Sequence, residues 1–227
     1  MKLSRRNLNI IIEQELKKLL SEGMLSDIVH QNPSQIGLQV FATKRGSFNQ
    51  DRLDRYTRKG RIYVYSSPQG TSDKPAEAFW TSTLKNNTSG WLDLCRDPDF
   101  WEANAGEQAV IYEILPEAKV LLLRSPEDYN TIRQAYPIET YQGGDDMYVM
   151  FGGYNPIGGS QDRASKIIQG IDWGKLSKDY DAIYCTNKDC ASGWDTESIA
   201  WWNLNVLKQI KIVDINDQCE LVMDGGN

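Results

Sequence analysis

The sequence predicts an α+β fold, on three observations. Strand-like segments outnumber helical ones, the helices interrupt them early, and no regular helical crossover separates successive strands as a doubly wound sheet requires. With 227 residues, 40% of them hydrophobic, and a mean hydropathy of -0.53, the chain can build one sizeable core or two small ones. The expected organisation is an N-terminal helical extension over residues 1–36 followed by one domain over residues 37–227.

Taken in order, Ser4 can cap a helix running to about Ser21, in which Leu8, Ile11, Ile12, Leu16, Leu19 and Leu20 recur on one face and Gly23 is the stop. This helix is amphipathic, and its apolar face is expected to pack on the domain or on a partner. After a polar linker at Asn32 to Gln35, Gly37 to Thr43 reads as a first strand and Asn49 to Arg58 as a short charged helix. Across Arg61 to Ser66, Tyr63 and Tyr65 alternate with Ile62 and Val64; Phe79 to Leu84 is β-prone. Ala109 to Leu115 and Lys119 to Leu123 read as a hairpin around Pro116. Pro126 or Glu127 to Ala135 and Gln161 to Gln169 read as helices, with Met147 to Phe151 a strand between them. The final third offers strands at Ala182 to Cys185, Ser198 to Trp202, Ile210 to Ile215 and Cys219 to Met223.

Charge and composition exclude several classes of function. Residues 1–60 hold 11 Lys and Arg against 6 Asp and Glu, so they carry +5; the net charge of -6 leaves -11 for the rest. An acidic body of this kind repels a nucleic-acid backbone and makes a protein the better target than RNA or DNA. No apolar run approaches the roughly 20 residues that span a bilayer, so no membrane contact is expected. Cys95, Cys185, Cys190 and Cys219 are too sparse for a disulfide scaffold, which points to reduced thiols and a cytoplasmic setting. The glycine pairs between Gly143 and Gly159 lack the Lys-Ser or Lys-Thr of a phosphate loop, and read as a mobile loop. His30 is the sole histidine, which removes a Cys-His hydrolase.

Three segments carry chemistry. In Ala78-Phe79-Trp80-Thr81-Ser82-Thr83, hydroxyls stand along a strand. In Gly193-Trp194-Asp195-Thr196-Glu197-Ser198-Ile199, two carboxylates end a loop and enter an apolar strand, bracketed by Trp194, Trp201 and Trp202. In Arg61-Ile62-Tyr63-Val64-Tyr65-Ser66-Ser67-Pro68, a cation shares a strand face with two tyrosines.

In order and character these segments resemble the mono-ADP-ribosyltransferases, above all the bacterial toxin branch of the pertussis-toxin type. The resemblance covers roughly residues 60–215 in pieces. It implies a split β-sandwich and NAD as co-substrate, with ADP-ribose passed to a macromolecule. Glu197 takes the place of the catalytic glutamate, whose carboxylate stabilises the oxocarbenium-like ribose as nicotinamide leaves. Thr81 takes the place of the hydroxyl that fixes the glutamate, Thr83 supports the strand, and Trp80 and Ser82 complete the floor of the NAD cleft. Asp195 stands where the family carries Glu or Gln, and as a shortened carboxylate it would help deprotonate the acceptor. Matching the Ser-Ser-Pro end of the third segment puts Tyr65 at the family's His, whereas matching its tyrosine pair puts Val64 at the family's Arg. The resemblance thus implies Tyr65 and Ser66 as NAD contacts and Arg61 as a phosphate partner. It also implies a toxin, effector or phage protein that modifies a host. Leu20-Ser21-Glu22 and Ile11-Ile12-Glu13 are similar to the sites at which tailed-phage head proteases trim packaged proteins. That similarity implies a packaging or neutralising partner for the helix and a phage particle as one location. A non-catalytic interaction module on the same fold is the alternative.

Overall fold

A computed structural model of the chain describes residues 7, 11–12, 15–16, 19–20, 23–44, 60–62, 64–66, 74–96, 105–142, 147–150, 153–156, 165–188, 190 and 194–223. Its centre is an eight-stranded sheet in the order β14-β13-β5-β1-β4-β12-β11-β6, antiparallel except where β6 meets β11. The strands are β1 (Gln39–Lys44), β4 (Phe79–Thr83), β5 (Ala105–Ile114), β6 (Val120–Leu123), β11 (Ala182–Cys185), β12 (Ser198–Trp201), β13 (Leu207–Ile215) and β14 (Leu221–Val222). Three two-stranded ribbons flank it: β2 (Tyr65–Ser66) with β3 (Pro75–Ala76), β7 (Pro137–Gln142) with β10 (Ser165–Ile171), and β8 (Met147–Met150) with β9 (Gly153–Pro156). The fold is α+β, with a large, mostly antiparallel sheet and few helices.

β4 changes partner along its length. It pairs β12 through Phe79, Trp80 and Thr81, and β1 through Ser82 and Thr83. The aromatic and β-branched residues of β4 suit a pleated surface buried on both sides. On one face, Phe79, Tyr112, Ile114 and Trp201 enter the larger core; on the other, Val40, Ile111, Ala109 and Leu92 build a smaller one.

Beyond the N-terminal helical segment, three helices punctuate the described chain: α1 (Gly90–Cys95), α2 (Pro126–Ala135) and α3 (Trp173–Asp179). Helix α2 matches its expected span, because Ser125 caps it, Pro126 begins it, and Tyr129 and Ile132 give it a buried side. Helices α1 and α3 are too short for periodicity to reveal, and each is started by a cap, Ser89 or Asp172.

Several expectations are corrected. Gln161 to Gln169 does not supply a helix: Ser165–Ile171 is a strand, since Ile167, Ile168 and Ile171 suit a ribbon and β7 offers an edge to pair. β5 and β6 form no hairpin, because β1 and β13 occupy both edges of β5, and the turn at Leu115 to Ala118 sends the chain across to β11. Cys185 and Cys190 are not free thiols but a disulfide at the end of β11. The expected helix at Asn49 to Arg58 lies outside the described residues.

Gly23 does not stop the N-terminal helix. All described residues from Asn7 to Leu25 are helical, and a 3-10 turn at Ser26–Ile28 follows. That turn buries Leu25 and Ile28 in the larger core, and Val29 bridges Leu121 of β6. Burying two large apolar side chains outweighs the roughly 1 kcal/mol that a helical glycine costs. Among the described residues no helix is long and apolar enough to cross a membrane. Replacing fully buried Leu25 by Ala should therefore lower the unfolding free energy by about 2–5 kcal/mol, measured by urea denaturation.

Candidate active site

The register of β4 against β12 builds the site. Ile199 pairs Thr81, Ala200 pairs Trp80 and Trp201 pairs Phe79, so one step further along the same face Glu197 meets Thr83. The Thr83 hydroxyl donates to Glu197 Oε1 at 2.6 Å, and the Thr83 amide donates to Oε2 at 3.3 Å. Glu197 is only 8% exposed, yet the ammonium of exposed Lys85 lies 3.9 Å from Oε2. Tyr184, from β11, pairs Ile199 and so shares the face of Thr81, Thr83 and Glu197. Burial first, and the Glu197 charge second, push the Tyr184 phenol up to about 12.

Behind the carboxylate stands a one-way series of hydrogen bonds. Trp201 Nε1 donates to Thr81 Oγ1 at 2.8 Å, and Thr81 Oγ1 donates to Gln39 Oε1 at 2.9 Å. Gln39 Nε2 donates to Thr83 Oγ1 at 3.3 Å, and Thr83 donates to Glu197. Gln39, Thr81 and Trp201 are fully buried, so each link satisfies a group that could not otherwise reach water. The series explains two polar residues inside apolar strands. It also corrects an expectation: Thr83, not Thr81, holds the glutamate, and Thr81 ties Gln39 to Trp201.

The pleat divides the remaining residues. Trp80 and Ser82 project to the opposite face from Thr81 and Thr83, so the four do not floor one cleft together. On that second face Trp80 packs edge-on against Trp194 at 5.0 Å and Trp91 at 6.5 Å between ring centres. Ser82 accepts from the Trp91 amide at 3.2 Å and so binds helix α1 to the sheet. Lys74 lies over the Trp80 ring at 5.7 Å and pairs with Asp195 at 3.0 Å. The loop between Trp194 and Glu197 thus sends Trp194 to the tryptophan face and Glu197 to the hydroxyl face. Gly90 keeps this loop close to α1: a Cβ there would sit 2.5 Å from Thr196 Oγ1 and 2.9 Å from the Glu197 carbonyl oxygen.

Arg61 is not at the site, which corrects its assignment as a phosphate partner. It bridges Asn203 beyond the far end of β12, on the order of 20 Å along the strand from Glu197. There its guanidinium pairs with buried Asp181 at 2.7 Å and donates to the Ser177 and Tyr180 carbonyls. Asp181 also takes the Asn203 amide at 2.7 Å and the Lys119 backbone N–H at 2.8 Å, so this cluster fastens the chain crossing. Tyr65 and Ser66 pair with β3 beside α3. Gln39, Tyr184 and Lys85 were absent from the sequence reading. The lone glutamine in Gln39-Val40-Phe41 was the one legible signal among them.

Comparison of the chain with protein-family models, curated proteins and solved structures returns no match.

Two outcomes follow from this geometry. Gln39→Leu leaves the buried Thr81 and Thr83 hydroxyls each short of a partner, and should cost about 1–3 kcal/mol in chemical denaturation. The Tyr184 phenol holds its proton more tightly in the folded chain than in the unfolded one, whose value is about 10. Its contribution to stability is therefore full below pH about 10 and is lost as pH rises toward about 12. Unfolding free energy measured across that window should fall more steeply for the natural chain than for Tyr184→Phe, and the variant should lose one late-titrating phenol by ultraviolet absorbance.

Proposed function

We propose that the chain is an NAD-dependent mono-ADP-ribosyltransferase that splits the nicotinamide–ribose bond and transfers ADP-ribose to a macromolecular target. The observation that carries this reading is the buried Glu197 carboxylate, held by the Thr83 hydroxyl and amide across the β4–β12 register. In the reaction the bond between C1' and the nicotinamide nitrogen breaks, and nicotinamide leaves with the electron pair. The ribose left behind is oxocarbenium-like, and a fixed carboxylate beside its 2'-hydroxyl stabilises that charge without reorganising. Each oxygen of Glu197 accepts one bond from Thr83, which leaves each with acceptor capacity for the ribose hydroxyl. The acceptor nucleophile then bonds to C1' and gives up its proton.

The residues present fit the ribose end of NAD. Lys85, beside Glu197 and exposed, offers the positive charge for the pyrophosphate that Arg61, engaged by Asp181, does not. Asp195, exposed on the tryptophan face and paired with Lys74, is separated from the Glu197 face, so the acceptor's proton is not assigned to it. The change of partner along β4 supports the finer fold reading, a split β-sandwich with its cleft at the split. The acidic body favours a protein acceptor over RNA or DNA. A free-standing enzyme of this kind would act as a toxin, an effector or a phage protein that modifies its host. The removal of Arg61 from the site favours a second reading, a non-catalytic interaction module on the same fold.

One experiment separates the two. The chain is incubated with labelled NAD and whole-cell lysate, and label is read separately in protein and RNA. Label in protein and free nicotinamide are expected, with both reduced by about 100-fold or more in folded Glu197→Gln. A natural chain that releases no nicotinamide would sink the transferase reading.

A further inference from the structure

We infer that a cavity at the start of β13 is a binding site for a small, uncharged, fused-ring aromatic ligand that carries a hydrogen-bond acceptor. The cavity has a volume of about 320 Å³ and is lined by Phe79, Tyr112, Leu204, Asn205, Leu207 and Gln209. That volume lies at the small end of the roughly 300–1,000 Å³ of ligand pockets. Phe79 and Tyr112 meet edge to face with ring centres 5.8 Å apart, and Phe41 stacks on Phe79 at 4.5 Å, so the aromatic wall is fixed. Asn205 and Gln209 are exposed and bring two carboxamides to the rim. Gly60 holds the turn that carries Asn205. Its carbonyl accepts from the Leu204 amide at 2.6 Å, its φ of +62° suits glycine, and a Cβ there would sit 2.7 Å from Asn205 Nδ2.

The ligand class follows from the lining. Tyr112 is only 3% exposed, and its hydroxyl has no hydrogen-bond partner among the described residues. Buried polar groups are nearly always met, so a phenol here, where phenylalanine would leave nothing unsatisfied, is a donor without its acceptor. Burial pushes this phenol above its ordinary range, so it stays protonated and donates. None of the described lining residues is charged, and a charged ligand would be desolvated without a counter-charge. The aromatic wall selects a flat ring system, and the two carboxamides can meet its polar edge. The cavity shares a sheet face with Glu197 but is a separate place. Tyr112 pairs Gln39 and Gln39 pairs Thr83, which puts Tyr112 three strand spacings, on the order of 14 Å, from the Glu197 position. The site therefore stands independently of the NAD reading.

Quinoline and naphthalene are the probes, because they share a shape and only quinoline has a ring-nitrogen acceptor. Their binding to the full chain is followed by saturation-transfer NMR near neutral pH, where quinoline is uncharged. Quinoline should bind saturably, and about tenfold more tightly than naphthalene. Tyr112→Phe should remove that difference by weakening quinoline about tenfold while leaving naphthalene unchanged. Asn205→Trp, at an exposed position on the rim, should block both probes, with the far-ultraviolet circular dichroism spectrum unchanged. Should Tyr112→Phe not fold, the preference of the natural chain for quinoline and its loss in Asn205→Trp still decide the matter. No saturable quinoline binding up to millimolar concentration would overturn the proposal, as would binding to Tyr112→Phe at natural strength. Displacement of quinoline by NAD would merge the cavity with the Glu197 site, and would overturn its separate assignment.

Discussion

A carboxylate buried in a protein must be met by donors, and much of the described site is arranged to satisfy that demand for Glu197. Its oxygens take the Thr83 hydroxyl and amide directly, and the hydrogen bonds behind Thr83 all run toward it. Because Trp201, Thr81, Gln39 and Thr83 each donate onward, every link polarises the next in the same sense. Gln39 relays this series, since its carbonyl accepts from one threonine and its amide donates to another. Three strands, β1, β4 and β12, are thereby tied to one register by polar groups as well as by the backbone ladder.

That register has a further consequence through the pleat. Strand geometry places alternate residues on opposite faces, so β4 serves two environments at once. The hydroxyl face carries Thr81, Thr83, Glu197 and Tyr184. The tryptophan face carries Trp80 with Trp91 and Trp194, and Lys74 paired with Asp195. The loop before β12 connects the two, and Gly90 lets helix α1 approach it closely enough to hold its course. The Cys185–Cys190 disulfide lies at the start of the same loop, where β11 ends. Glu197 and Asp195 thus stand on separate faces joined by a short, constrained segment.

The cluster around Asp181 shows how the same residue types serve architecture. Arg61, Asn203 and the Lys119 amide converge on one buried carboxylate. A charge buried there is satisfied by an intramolecular cation, which withdraws Arg61 from any role near Glu197. In sequence Arg61 sits beside two tyrosines and looks available; its partner, Asp181, is far along the chain and nothing local announces it.

Local pattern was enough for the α+β class and for most strand positions, because alternation and β-branched content survive in any context. It located helix α2 near Pro126, whereas the pairing of Glu197 with the hydroxyl strand was implied by the family resemblance. The pleat could also have been read from it, since Trp80 and Ser82 must diverge from Thr81 and Thr83. What local pattern lacked was pairing. Whether β6 joined β5 or β11, whether Ser165–Ile171 found an edge, which threonine met Glu197, and that Gln39 and Tyr184 joined them were decided by strand order and register. Those depend on contacts between residues distant in the chain, whose free energy appears only when the whole sheet is assembled.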